Sequence, residues 1–513
     1  MSERNSSTER SGSNGISRRR FVAATGVAGV TGLAGCGGGG DGGDGGSGGD
    51  GGSDGGSGGD GTATDTQSSN TGATTVNWAL SVAGEVSDDI LNAYKEAMHS
   101  NGLSDDIEVQ FTEVPFDRTR SQYQKWFSAE RASPDIIDMD TGWAAPFISR
   151  DYLLNLSDEM PDLVDQVKNE FFGPVVDALQ DFETGDQYAV PRYIDIAGMM
   201  YRKDWAEEAG YSPDENNWQT EGLTWKELSQ VTADLQEQND TSYGFTTQGN
   251  VSQTLACCPF NEQMTSWGGA YFGGRDNLYG PVGDRPITVT EEPVIDSLKM
   301  MRRFIYGSDD EHAIQDDGFA GGITPSEISG WQYQGSLNPF LQGDAVMHRN
   351  WGGFMWDAVD ELGADKLGYM VLPYAENASS KYENTGVAGN SALGGWSYAI
   401  NSFSNKTEAA KEVIRAAVSD DFYITGFDQE GNVPPKPSVL ESSVVEETAL
   451  GSYVPTFVES AKYVIPRPAS RVWLQEWSPI SENVNAVYRQ EKAPVQAMED
   501  CASDLEAIEG QYS

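Results

Sequence analysis

Residues Gly37 to Gly61 contain only glycine, aspartate and serine. A run of 25 residues without one apolar side chain has nothing to bury, so it separates a short N-terminal segment from a long C-terminal body. Thr62 to Thr75 stay small and polar, and the 39 residues from 37 to 75 read as a leash. Random-coil scaling gives it an end-to-end distance of roughly 35 Å.

Upstream lie Ser17-Arg18-Arg19-Arg20-Phe21 and then a weakly apolar run from Val22 to Gly35 that ends in small residues. A basic region followed by an apolar one is an export signal. Arg18 and Arg19 resemble the pair of a twin-arginine signal, and Leu33-Ala34-Gly35-Cys36 resembles a lipobox, whose cysteine is acylated after cleavage. The expected organisation is a signal peptide over 1–35, then lipidated Cys36 and a disordered linker over 36–75. The run before Cys36 is too short and too rich in Gly and Ala to span a bilayer of about 30 Å, and no later stretch reaches the roughly 20 apolar residues needed. The expected location is therefore the extracellular face of the cell membrane, held by lipid alone.

The body, 76–513, has 438 residues, more than one hydrophobic core usually serves, so two lobes are expected. Net charge is −46, and removing residues 1–35 leaves 28 basic against 77 acidic residues, or −49. Such a charge repels nucleic acid and anionic lipid. At molar salt the screening length falls to about 3 Å, which relieves the self-repulsion and predicts a halophilic source. Cysteine is sparse: besides Cys36 there are Cys257, Cys258 and Cys501. Cys501 falls on the apolar stripe Val495, Met498, Ala502, Leu505 and Ile508 of a helix begun by Pro494, which makes it a small buried residue. A bridge from Cys257 or Cys258 to Cys501 stays open.

Signatures of catalysis are missing. His99, His312 and His348 stand at unrelated positions, with no HExxH, no zinc spacing, no nucleophile elbow and no P-loop. Neither cofactor nor metal is expected. Asp135, Asp138 and Asp140 cluster, but in so acidic a chain a carboxylate pair says little about glycosidase chemistry. In the body, five sequons, at Asn155, Asn239, Asn250, Asn377 and Asn405, permit glycosylation without requiring it.

The body opens as βαβαβ. Val76 to Val82 reads as a strand, Ser87 caps a helix with Ile90, Leu91, Tyr94, Ala97 and Met98 on one face, and Ile107, Val109 and Phe111 alternate as a second strand. Residues 118 to 131 read as helix, and Ile136 to Met139 as a third strand ending in Asp140. Ligands of open α/β sheets sit beyond the carboxyl ends of strands. Asp140, Thr141, Gly142 and Trp143 therefore stand at a binding edge, where Trp143 either borders a ligand or anchors its own loop. Tyr193-Ile194-Asp195, Arg349-Asn350-Trp351-Gly352-Gly353 and Leu393-Gly394-Gly395-Trp396 share one theme, an aromatic ring beside small and hydrogen-bonding residues. Sugars have apolar faces for such rings and hydroxyls for such polar groups, and Gly394-Gly395 would let backbone N–H groups approach a ligand.

"YAVPRYIDIAGMMYRKDWAEEAG" (188–210), "TWKELSQVTADL" (224–235), "FLQGDAVMHRNW" (340–351), "LGYMVLP" (367–373), "SALGGWSYAINSFSNKTEAAKEVI" (391–414) and the ending from Arg467 to Ile508 resemble, in order, the extracellular solute-binding proteins of ABC transporters, family 1. Their spacing is similar to that of the sugar branch, with the maltose- and trehalose/maltose-binding proteins. The resemblance implies a two-lobed periplasmic-binding-protein-like α/β fold whose ligand cleft lies between lobes joined by a hinge. Lobe 1 would comprise 76–190 and 395–435, and lobe 2 would comprise 191–394 and 436–513, with crossings near 190–193, 391–396 and 430–437. By position within the matching segments it implies ligand contacts at Asp140, Trp143, Tyr193, Asp195, Trp351, Gly394, Gly395 and Trp396, with Glu85, Arg120 and Arg467 as further members. It implies binding without catalysis by a monomer, and delivery of a sugar, a di- or oligosaccharide, to a membrane permease driven by a cytoplasmic ATPase. A polyamine ligand on the same fold is the alternative, and a secreted glycoside hydrolase a weaker one. The doubled cysteine of "ACCPFNEQMTSWGG" (256–269) departs from the family pattern.

Overall fold

The computed structural model describes residues 73–82, 86–376, 378 and 389–512. Arg18, Arg19, Cys36, most of the leash, Glu85 and Asn377 lie outside them. Regular structure starts at β1 (Thr74–Val82), two residues inside the expected leash. The βαβαβ opening forms as expected, with β2 (Ile107–Pro115) and β3 (Ile136–Asp140) separated from β1 by the helices Asp88–Ser100 and Phe116–Ser128. The Ser87 hydroxyl accepts the Ile90 N–H and so satisfies one of the free amides of the first turn.

Later strands are β4 (Val190–Arg202), β5 (Tyr243–Thr246), β6 (Ala345–Trp351), β7 (Leu367–Met370), β8 (Ala392–Ile400) and β9 (Ile465–Pro466). They join in the order β2-β1-β3-β8-β4-β6-β5, with β7 also on β4 and β9 on β8. β1 runs parallel to β2 and β3, while β8 runs antiparallel to β3. The first half of β4, Val190 to Ile196, pairs with β8, and the second half, Ala197 to Arg202, pairs with β6 and β7. One strand thus leaves the first sheet and enters the second between Ile196 and Ala197, a few residues beyond 190–193. Two other segments meet it there: β8 begins at Ala392 beside β9, and Val433 bridges to Ile194.

One apolar cluster runs behind both halves, from Val76 and Trp78 on β1 to Ala345 on β6 and Leu367 on β7, and each half has a further core of its own. Trp143, Tyr123, Phe127, Phe147 and Trp396 pack on the first sheet, and Leu228, Phe260, Met301, Phe304, Trp473 and Met498 fill the second. Cys501 belongs to the latter and is fully buried as a free thiol. The open bridge to it does not form: Cys257 and Cys258 are bonded to each other. Val495, placed on the buried stripe by periodicity, is half exposed, because the buried face of Pro494–Glu509 runs through Pro494, Ala497, Met498, Cys501 and Leu505 and leaves Val495 beside it. Among the described residues no helix is long and apolar enough to cross a membrane.

The root of β4 is held by charge. Arg192 is buried, its Nη1 2.9 Å from Asp138 on β3 and its Nη2 3.3 Å from Glu430, while the Tyr94 hydroxyl also donates to Glu430. Burial pushes the Asp138 carboxyl up to about 6 against the pull of Arg192. Deleting one member of a buried pair strands the other charge at a cost of about 3–5 kcal/mol. Arg192→Met should therefore lower the unfolding free energy by about that amount in urea titrations at molar salt, whereas a loss below about 1 kcal/mol is what an exposed pair would give.

Candidate functional site

Register brings the carboxyl end of β3 to the middle of the crossing strand. Asp140 pairs with Trp396, and Trp396 pairs on its other side with Tyr193, so three strands contribute one row of side chains. Two residues on, Asp195 stands opposite Gly394. Gly395 has φ +126°, and a Cβ there would overlap the Tyr193 carbonyl oxygen. Only glycine lets β8 and β4 approach so closely. A Cβ on Gly394 would meet the Asp195 Cβ at 2.8 Å and Trp351 at 3.3 Å. The two glycines therefore make room for the protein's own strand and indole.

Asp140 is bound from across the hinge. Its two oxygens lie 2.9 Å and 3.3 Å from the Arg467 guanidinium, and Oδ1 also accepts the Gly142 N–H at 2.8 Å. Gly142 is required there, since a Cβ would come within 2.8 Å of Arg467. Trp143 packs edge-on against Trp396, centroids 5.3 Å apart, and Trp396 lies 5.6 Å from the ring of Phe116. Trp143 and Trp396 are buried, and Phe116 is the exposed ring of this wall at 44%. One helical turn on, Arg120 donates to Gln253 of the second lobe at 3.3 Å and feels the charge of Asp140.

On the second lobe Trp351 is buried with the Arg349 guanidinium 4.3 Å from its ring centre. The two residues stand on one face of β6, two positions apart. Arg349 is engaged by Glu262 through a two-pronged ion pair and by Gln248 at 3.0 Å. Glu262 also accepts the N–H of Ala392, at the start of β8, at 3.1 Å. Tyr333 is half-buried, stacks on Phe354 at 5.7 Å, shares a 2.8 Å hydrogen bond with the Thr254 hydroxyl and lies in the field of Arg349, Asp195 and Asp140.

Asp195 is the exception among these charges. It is half-buried and takes no hydrogen bond from any described side chain or backbone N–H. Burial first, then the Asp140 charge, push its carboxyl up to about 7, while Arg467 and Arg349 pull the other way. A polar group left like this has spare acceptor capacity.

Of the residues expected from sequence, the structure brings Asp140, Trp143, Tyr193, Asp195, Trp351, Gly394, Gly395, Trp396, Arg120 and Arg467 into one contiguous cluster, and Glu85 lies outside the described residues. It adds Phe116, Gln253, Thr254, Glu262, Tyr333, Arg349 and Phe354. Arg349 was within reach, being inside the Trp351 stretch at the spacing of one strand face. Phe116 follows the carboxyl end of β2, where such residues belong. Tyr333 and Thr254 carry no sequence signal, because they meet only through tertiary contact. Among the described residues no group of three His, Cys, Asp or Glu could hold a metal ion.

A folded carboxyl that keeps its proton up to about pH 7, while the unfolded one loses it near pH 4, holds more protons than the unfolded state across that window. Stability therefore falls as pH rises through it. Asp195→Asn should flatten the fall in melting temperature between about pH 4 and pH 7. An unchanged slope would mean that this carboxyl titrates normally.

Comparison with known proteins fits this geometry. Residues 89–422 match the family model described as bacterial extracellular solute-binding protein. A probable ABC transporter-binding protein of Deinococcus radiodurans is 24% identical over 332 residues, 63% of this chain and 66% of that one. The maltose-bound MalE3 of T. maritima superposes with TM-score 0.67 at 23% identity, covering 85% of this chain and all of that one. The GacH receptor of Streptomyces glaucescens, solved unliganded and with acarbose, gives TM-score 0.65 at 18% identity, covering 86% and 100%. With the family model matching well over half its length, and the two-lobed fold shared with these structures, the chain belongs to the bacterial extracellular solute-binding proteins.

Proposed function

We propose that the chain is the lipid-anchored substrate-binding component of an ABC importer, and that it captures a sugar, a di- or oligosaccharide, in the cleft around Asp195. The observation that carries this reading is the charge balance of the cleft. Asp140 is neutralised by Arg467 and Arg349 by Glu262, which leaves, among the described residues of this cluster, one unpartnered carboxylate in the neighbourhood of the Tyr193 and Tyr333 rings. A polyamine would need several uncompensated carboxylates. A neutral polyhydroxylated ligand needs aromatic faces, one strong acceptor and guanidinium donors. The solved neighbours named for maltose and acarbose favour the same class.

Capture would proceed by hinge closure. The ligand would settle against Asp195, Tyr193 and the exposed ring of Phe116, rotation about the crossing strands would bring up Tyr333, and exclusion of water would strengthen each hydrogen bond. Lobes with boundaries near 76–190 plus 395–435 and 191–394 plus 436–513 would then move as the two bodies. Cys36, acylated, would keep the molecule at the extracellular membrane face beside its permease, after twin-arginine export through Arg18 and Arg19.

Titration of maltose and spermidine at molar salt separates the ligand classes. A hydrogen bond to a charged group contributes about 1.5–3 kcal/mol, so Asp195→Ala should weaken sugar binding roughly tenfold to a hundredfold. Asp195→Asn, which keeps an acceptor oxygen, should cost less. For a cationic ligand Asn should be as harmful as Ala, and that pattern would overturn the sugar reading. Phe116→Ala should weaken sugar binding by about 0.5–1.5 kcal/mol beyond the area lost, measured by calorimetry.

Anchoring is tested apart from binding. The native protein should partition into detergent and carry an acylated N-terminal Cys36, and Cys36→Ala should release it or leave it uncleaved. Mass spectrometry finding an unmodified mature N-terminus away from Cys36 would sink the lipoprotein reading.

A further inference from the structure

The sugar reading leaves the bonded neighbours Cys257 and Cys258 unused. They close the turn between the short helix Gln253–Cys257 and the fully buried helix Pro259–Ser266. Cys258 has left helical geometry, with φ −131° and ψ −89°, and Pro259 opens the next helix at its first turn, where a missing N–H costs nothing. Both sulfurs lie in the apolar core of the second lobe.

Each side of this turn holds a different part of the cleft. Upstream, Gln253 accepts from Arg120 of the first lobe, and Thr254 shares its hydroxyl hydrogen bond with Tyr333. Downstream, Glu262 binds Arg349 and the N–H of Ala392 on the strand entering the first sheet. The rim of the cleft and its floor are thus referenced to each other through one covalently closed turn. Fusing adjacent residues into a ring removes backbone freedom that an open turn would regain.

We propose that the Cys257–Cys258 disulfide is a positioning element of the ligand cleft that a dithiol can release. Reduction by dithiothreitol breaks the S–S bond, moves two electrons and two protons onto the cysteines as thiols, and leaves the reagent as its cyclic disulfide. The two thiols fill nearly the same apolar volume, so the core stays packed while the angle between the helices is set free. The effect falls on the contacts of Gln253 and Thr254. The consequence for ligand rests on the sugar reading; the consequence for backbone protection does not.

The experiment uses the full exported protein. Peptide mapping with iodoacetamide under denaturing conditions should leave Cys257 and Cys258 unlabelled until a reductant is added, and labelling without reductant overturns the proposal. After dithiothreitol, amide hydrogen exchange should speed up about tenfold over 253–257 and 116–128 while 292–306 stays protected. Maltose affinity should fall several-fold, and reoxidation with oxidised glutathione should restore both. Unchanged exchange in the first two segments overturns the proposal, as does uniform acceleration through all three, which would mark a general loss of stability. The double variant Cys257→Ser/Cys258→Ser should behave like the reduced protein. If maltose binds neither form, the sugar reading falls while the exchange pattern still decides this one.

Discussion

Thirteen residues of backbone, Val190–Arg202, belong to two sheets at once, and the rest of the molecule is arranged around that sharing. A strand whose halves pair with different partners is pulled by both ladders, so its root must be fixed or its register would slip. Arg192 provides the fixing. It stands two residues inside β4 and ties it to β3 through Asp138 and to the helix Asp420–Glu430 through Glu430. Because the arginine is buried, no water competes for it, and a slip of one residue would strand three charged groups. With register fixed, Tyr193 falls in the row with Trp396 and Asp140, and Asp195 lands one residue before the change of sheet.

The same economy of charge runs through the cleft. In a protein of net charge −46, an uncompensated carboxylate near the interior is the expected condition rather than a signal, yet most buried acids here are tied to arginine. Glu262 holds Arg349, Glu476 and Glu509 share Arg285, and Asp310 holds Arg302. The arginines are spent where burial makes pairing necessary, and the exposed surface carries the excess acid. Against that background Asp195 is conspicuous. Its carboxyl titrates near neutrality because it is half-buried and beside a second acid, with two guanidiniums close enough to moderate the cost but bound elsewhere.

Contacts across the cleft arise from both sides of the shared strand. Arg467 reaches Asp140 and Arg120 reaches Gln253, and the ring of Phe182 lies 3.9 Å from that of Tyr279. Such contacts form only while the two sides of the shared strand lie close together, as they do here. The buried position of Trp396 and Trp351 fits that state. Their rings are packed against Trp143, Phe116 and Arg349, whereas Phe116 is exposed and Tyr193 and Tyr333 are half-buried.

The local code of this chain was legible on its own. The glycine-aspartate run marks where folding cannot occur, and period-two and period-3.6 patterns place β1, β2, β3 and the helices between them, with ends up to four residues off, as where β2 runs on from Phe111 to Pro115. Ordered motifs name the family because they record the sequence in which its segments come. A residue at a strand end, such as Asp140, is legible as well, since the end of a strand is a local fact that carries a spatial meaning. What only the tertiary structure decided is which groups face one another: that Arg467 takes Asp140, that Glu262 takes Arg349, that Asp195 is left without a partner among the described residues, and that Cys257 bonds to its neighbour and not to Cys501. Those outcomes depend on distances between segments up to more than three hundred residues apart, and no periodicity within a segment encodes a distance to another.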